Sequence, residues 1–216
     1  HEKENAMKRI CLGIDSELEV SALCLGTMYY GNRDDDKTSY RLLDHYVEAG
    51  GNFLDTANIY ANWLTDFQGG ESEILLGKWM KDRGNRNDLV IATKVGFGYQ
   101  DVPSSLKAER IETEVEKSLK RLGIDTIDLY YSHYDDRKTP WEEQLKALDR
   151  LVKTGKVRCI GASNIKAWRL EEARGISIHN DLARHAAVQQ RFTYLRPRVN
   201  ASFFPQISTN PDLLEY

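Results

Sequence analysis

The sequence predicts an α/β protein whose parallel sheet curls into a (β/α) barrel, and three observations carry that prediction. Six short apolar runs alternate with helical runs along 216 residues, the pattern of strands joined by helical crossovers. No run is followed by Gly-x-Gly-x-x-Gly or a Walker loop, which disfavours a doubly wound nucleotide-binding sheet. Five of the runs end on residues that carry chemistry: Asp55 with Tyr60 close behind, Lys94, His133, Ser163 with Asn164, and Gln189. In a parallel barrel such ends share one face, so residues far apart in sequence meet in one pocket.

The elements follow in order. Lys8–Leu12 and Leu18–Leu23 flank a turn at Gly13-Ile-Asp-Ser16 and read as a hairpin suited to plug a barrel bottom. Leu23–Gly26 is a first barrel strand. Thr38–Ala49 is a helix with Leu42, Leu43, Tyr46 and Val47 on one side, stopped by Gly50-Gly51. Phe53-Leu54 opens the second strand, and Ser72–Lys81 is a helix with the stripe Ile74, Leu75, Trp79. Asp88–Lys94 is the third strand. Glu109–Leu122 repeats Ile111, Val115, Leu119 and Leu122 at helical spacing before Gly123. Thr126–Ser132 is the fourth strand, and Pro140–Val152 a helix with proline in its first turn. Lys156–Ala162, a helix over Ile165–Ala173, and the strand His185–Gln189 complete the pattern. Asp212–Tyr216 reads as the start of a further helix.

Composition bounds the function. The chain is 41% apolar and 29% charged with a net charge of -3, an ordinary globular balance with no electrostatic argument for nucleic acid or membrane. No apolar run approaches the roughly 20 residues of a membrane helix. Cys11, Cys24 and Cys159 lie in strand-like runs at no metal-ligand spacing, so buried free thiols in a reducing cytoplasm are expected. Asp135 and Asp136, with His179 or His185, also lack ligand spacing, and no metal is expected. Met7 reads as the native start, giving one domain over 7–216 and an extraneous or disordered 1–6. The sequon Asn200-Ala-Ser202 reads as chance.

Asp55-Thr-Ala-Asn-Ile-Tyr60, Ala92-Thr-Lys94, Tyr131-Ser-His-Tyr134 and Gly161-Ala-Ser-Asn164, with Gly26-Thr-Met28 after the first strand, resemble the aldo-keto reductase family in order and spacing. The resemblance implies a (β/α)8 TIM barrel of which about six β/α units are present here. It also implies NADPH-dependent reduction of an aldehyde or ketone. Tyr60 would be the general acid, Lys94 would lower its pKa, Asp55 would hold Lys94, and His133 would orient the carbonyl. Gly26, Thr27, Met28, Asp55, Ser163, Asn164 and Gln189 would bind the cofactor. Taken singly, each has a plainer reading: Asp55 a cap, Tyr60 a rim aromatic, Lys94 a solvated strand end, His133 a core histidine. Together at successive strand ends they favour chemistry. Trp63 lines the pocket or packs; Trp79, Trp141 and Trp168 read as core or helix–barrel contacts.

A complete barrel takes roughly 250 residues. The missing part would hold the cofactor phosphate and an aromatic that stacks on the nicotinamide, and would leave strands one and six as edges. Either further units lie outside these 216 residues, or the chain is a fragment that pairs with itself, or it is a non-catalytic relative acting as a binding or assembly module.

Overall fold

The computed structural model describes residues 7–13, 18–195, 197–198 and 201–215. Residues 1–6, most of the predicted hairpin turn, Asn200 of the sequon and Tyr216 lie outside the described residues.

Strands β1 (Arg9–Cys11) and β2 (Glu19–Ser21) pair antiparallel. Six strands then form one parallel sheet in sequence order: β3 (Leu25–Gly26), β4 (Phe53–Asp55), β5 (Val90–Val95), β6 (Ile127–Ser132), β7 (Val157–Ser163) and β8 (His185–Gln189). Order without a reversal is what a barrel requires and a doubly wound sheet lacks. The sheet is a curled part of a (β/α)8 barrel, with helices on its outer face. Helices α1 (Asp36–Glu48), α2 (Glu71–Arg83), α3 (Ala108–Leu122), α4 (Trp141–Lys153) and α5 (Ala167–His179) are the crossovers. A short α6 (Pro211–Glu215) follows β8.

Strand alternation divides the core in two. Leu54, Ile91, Tyr130 and Ile160 point outward to the helices and pack with Leu43, Leu76, Trp79, Ile111, Val115 and Leu148. Phe53, Val90, Ala92, Leu129 and Tyr131 point inward and are joined by Val20 from β2, so the hairpin fills the inner cluster as predicted. Gly161 is required where β7 passes Tyr131, because a Cβ there would lie 2.5 Å from two atoms of that ring.

The helices have local causes. The Asp35 carboxylate accepts from the Thr38 backbone N–H at 2.6 Å and caps α1. Gly84 and Gly123 take positive φ and end α2 and α3. Several predicted details change. Leu42 and Ile74 are exposed, and Leu76 and Met80 take the buried positions of α2, because its buried face is rotated by about one residue from the predicted stripe. α5 runs to His179 because Ala173 and Ser177 continue a buried face past the predicted stop. Trp168 is 58% exposed; it stands in the first turn of α5, with the guanidinium groups of Arg137 and Arg169 over its ring, and is no core residue. Cys11 on β1 and Cys24 just before the edge strand β3 are exposed and Cys159 is half-buried, so none is the buried thiol expected.

Candidate active site

The alternation that sorts the core also builds the site. On β4, Phe53 points inward and therefore so does Asp55; on β5, Val90 and Ala92 carry Lys94 inward; after β6, Leu129 and Tyr131 carry His133 inward. The apolar residues fill the lower barrel and the polar ones emerge at its C-terminal rim. Thr27 N–H donates to Asp55 O, Thr56 N–H to Ala92 O, and His133 N–H to Val95 O, so the strand ends stay laced one residue beyond the sheet.

Lys94 is fully buried and its Nζ spends all three protons. It donates to Asp55 Oδ2 at 2.6 Å, to the Thr56 carbonyl at 2.6 Å and to Tyr60 Oη at 2.9 Å. Burial alone would pull this ammonium down, but the Asp55 carboxylate and Tyr60 outweigh it, and its pKa is raised. Lys94 is therefore charged at neutral pH. Burial pushes the Tyr60 phenol up, and Lys94 opposes this without reversing it. The expected lowering by Lys94 has the right sign but is the smaller effect, because the phenol is enclosed as well as paired. Tyr60 is thus protonated, and because Lys94 donates to its oxygen, its own proton is left for another acceptor.

Burial, with the Lys94 charge second, holds His133 well below the usual imidazole value, so the ring is neutral. Its Nδ1 is buried without a protein partner, as is Asp55 Oδ1. The His133 and Tyr60 rings meet edge-on at 6.3 Å. Trp63 lies edge-on to Tyr60 at 6.1 Å, Phe97 edge-on to His133 at 4.7 Å, and Tyr134 stacks on Phe97 at 5.2 Å. Trp63 stays about half exposed beside the pocket mouth.

The remaining predicted residues divide. Ser163 and Asn164 end β7, and Asn164 N–H donates to Gln189 O at 3.3 Å, which brings the third of them alongside. The Asn164 amide donates to His133 O at 2.9 Å and Ser163 Oγ at 3.2 Å, while its Oδ1 accepts from Ile207 N–H. Its donors are spent within the protein. Thr27 points away from the pocket, into a buried cluster with Ser72 Oγ at 2.8 Å. Gly26 and Met28 remain exposed on the rim. Sequence reasoning missed Thr56, whose carbonyl is the second anchor of Lys94, and Phe97, an aromatic two positions past β5 that its distance from a strand end could have flagged.

Among the described residues, no cluster of three or more His, Cys, Asp or Glu is arranged to hold a metal ion. No helix among them is long and apolar enough to cross a membrane. A cavity of about 810 Å³ lies at the β7–β8 edge beside α5, away from Tyr60.

The fold and the site together are a parallel barrel sheet with a buried lysine joining a carboxylate to a tyrosine at its C-terminal rim. Residues 22–212 match the model of the aldo/keto reductase family, and the chain belongs to that family. It is 42% identical over 164 residues to the uncharacterized oxidoreductase YrpG of Bacillus subtilis, an alignment covering 73% of this chain and 49% of that protein. It is 37% identical over 187 residues to norsolorinic acid reductase A of Aspergillus parasiticus, covering 80% and 46%. It is 36% identical over 177 residues to an aryl-alcohol dehydrogenase [NADP(+)] of Phanerodontia chrysosporium, covering 72% and 44%. The chain spans about half the length of the curated relatives it matches.

Proposed function

We propose that the protein reduces an aldehyde or ketone to an alcohol with NADPH, and that Tyr60 donates the proton. The observation that carries this reading is the Lys94 ammonium held 2.6 Å from Asp55 and 2.9 Å from Tyr60. NADPH, when bound, supplies the hydride. Ser163, with its hydroxyl proton available, and Gln189 are suited to its nicotinamide amide; Asn164 would take part through the second lone pair of Oδ1. The partnerless Asp55 Oδ1 and His133 Nδ1 at the same rim fit a polar ligand there. The preference for NADP rests on the dehydrogenase relative.

As negative charge grows on the carbonyl oxygen, Tyr60 gives up its proton and the adjacent Lys94 charge stabilises the tyrosinate that remains. Neutral His133 offers one N–H to the same oxygen and orients it. Trp63, Phe97 and Tyr134 give the pocket ring edges and faces that suit an aromatic carbonyl. None of the three cysteines is in a disulfide, which suits a reducing cytoplasm.

Tyr60→Phe in the full-length protein should lower kcat on an aryl aldehyde by about 10²–10⁴-fold, with NADPH affinity unchanged. Wild-type turnover in that variant would overturn the assignment. A second reading, self-assembly without redox chemistry, is favoured by β3 and β8 both being edge strands of the sheet. A monomeric sedimentation profile with NADPH-dependent turnover would dispose of it.

A further inference from the structure

Tyr60 does not lie on a strand. It stands in the turn after β4, five positions past Asp55; Lys94 donates to its hydroxyl and lies 4.8 Å from its ring centroid, and Gly70 N–H donates to its carbonyl at 3.2 Å. Something must hold the turn from its other side. Within it, Thr56 faces outward and its Oγ1 donates to Ser72 Oγ on α2 at 2.9 Å. Two positions after Tyr60, Asn62 Nδ2 reaches only a loop carbonyl, Gly98 O at 3.4 Å; two positions before it, Asn58 is tied by its side chain to a helix. Asn58 Nδ2 donates to Glu114 Oε2 on α3 at 2.7 Å, a bond buried at both ends and spanning 56 positions.

Glu114 is held in turn. Its Oε1 accepts from Tyr99 Oη at 2.9 Å and Lys117 Nζ at 2.9 Å, and Arg110 Nη1 lies 3.2 Å away. A buried carboxylate with four donors around it is costly to move, and an amide bonded to it has one low-energy position. Directly after Tyr60, Ala61 is fully buried with φ of 83°. A non-glycine residue persists there only where its surroundings over-determine it. The turn is therefore clamped from the barrel interior by Lys94 and from the helix layer by Glu114.

We propose that Asn58 and Glu114 are positioning residues for Tyr60: the outer-layer carboxylate holds the Asn58 amide and so fixes where the phenol meets Lys94 and the substrate oxygen. Neither residue touches the reacting atoms. The proposal rests on Tyr60 as the acid, and its test separates the two.

The full-length protein is labelled with ¹³C at the tyrosine ring, and the Tyr60 signal is assigned from its loss in Tyr60→Phe. Asn58→Ala and the milder Glu114→Gln should both shift that signal in the absence of turnover. Glu112→Gln, the same charge change at an exposed α3 residue paired with Arg150 at 2.5 Å, should not. An unmoved Tyr60 signal in folded Asn58→Ala overturns the proposal whatever reaction the enzyme catalyses. In turnover, Asn58→Ala should lower kcat by about ten- to a hundredfold, as misplacement of a reacting group does, with KM for NADPH unchanged. It should cost nothing further in a Tyr60→Phe background. Equal losses in both backgrounds would mean a merely structural role and also overturn it. Full turnover in Tyr60→Phe alone would sink the acid assignment, and the ring signal would still decide the positioning.

Discussion

Replacing Lys94 with methionine separates what the site costs from what it does. The methionine fills nearly the same volume but removes three hydrogen bonds at once: to Asp55 Oδ2 at 2.6 Å, to the Thr56 carbonyl at 2.6 Å and to Tyr60 Oη at 2.9 Å. The dominant loss is electrostatic. Asp55 is 6% exposed, so its charge would be left buried without its partner, and breaking such a pair costs about 3–5 kcal/mol. Asp55→Leu combined with Lys94→Met removes both charges, and replacing a whole buried pair by apolar side chains of similar volume is often close to neutral. The double variant should therefore recover most of the stability, to within about 1 kcal/mol of wild type. Catalysis should not recover with it. Both variants lack the cation that stabilises the Tyr60 tyrosinate, and kcat should stay down by about 10²-fold or more. Urea denaturation followed by the fluorescence of the four tryptophans reads stability, and NADPH consumption reads kcat. Equal stability of the single and double variants would refute the argument, because it would mean that Asp55 is not stranded when Lys94 is lost. A single variant within about 1 kcal/mol of wild type would refute it as well, placing the pair in an environment as forgiving as the surface.

Two further outcomes follow from other parts of the molecule. Burial lowers the His185 pKa to about 4, so the folded protein keeps this ring neutral while the unfolded chain takes up a proton near the ordinary value of about 6.5. Its contribution is present above that value and is lost as pH falls from about 6.5 towards 4, by up to about 3 kcal/mol; His185→Leu should flatten the melting temperature against pH in that window, and an unchanged slope would count against it. Gly161→Ala would drive a Cβ to 2.5 Å from the ring of Tyr131, which is itself packed in the inner cluster. Overpacking of this kind costs about 1–3 kcal/mol, measurable as a lower urea midpoint with unchanged slope; no loss would mean the Tyr131 ring is free to move aside.

Much of the site could be read before any coordinates because it rests on short-range rules. Phe53 and Asp55, then Val90, Ala92 and Lys94, then Leu129, Tyr131 and His133, follow the two-residue alternation of a strand. Apolar residues inside the barrel and a polar residue at the rim are then one pattern repeated along successive strands. The sequence order of the strands likewise follows from the repeated strand–helix unit. Helix starts and stops at Asp35, Gly84 and Gly123 also depend on near neighbours.

Tertiary structure decided whatever depends on which groups meet across the fold. The bond from Asn58 to Glu114 joins a turn to a helix 56 positions away, and nothing near either residue announces it. Ile74 and Leu76 are equally apolar and two positions apart on one helix, so only the packed orientation of α2 settles that Leu76 is buried. Trp168 is exposed for the same kind of reason, since a large ring does not choose its face of α5 by itself. The direction of the Tyr60 shift also lay beyond the sequence: the family resemblance implied that Lys94 lies beside it, but burial is a sum over every neighbour, and here the sum outweighs the one charge. Local pattern fixed which side chains face the barrel and its rim; enclosure, and the contacts that only a folded chain brings together, set how those side chains behave.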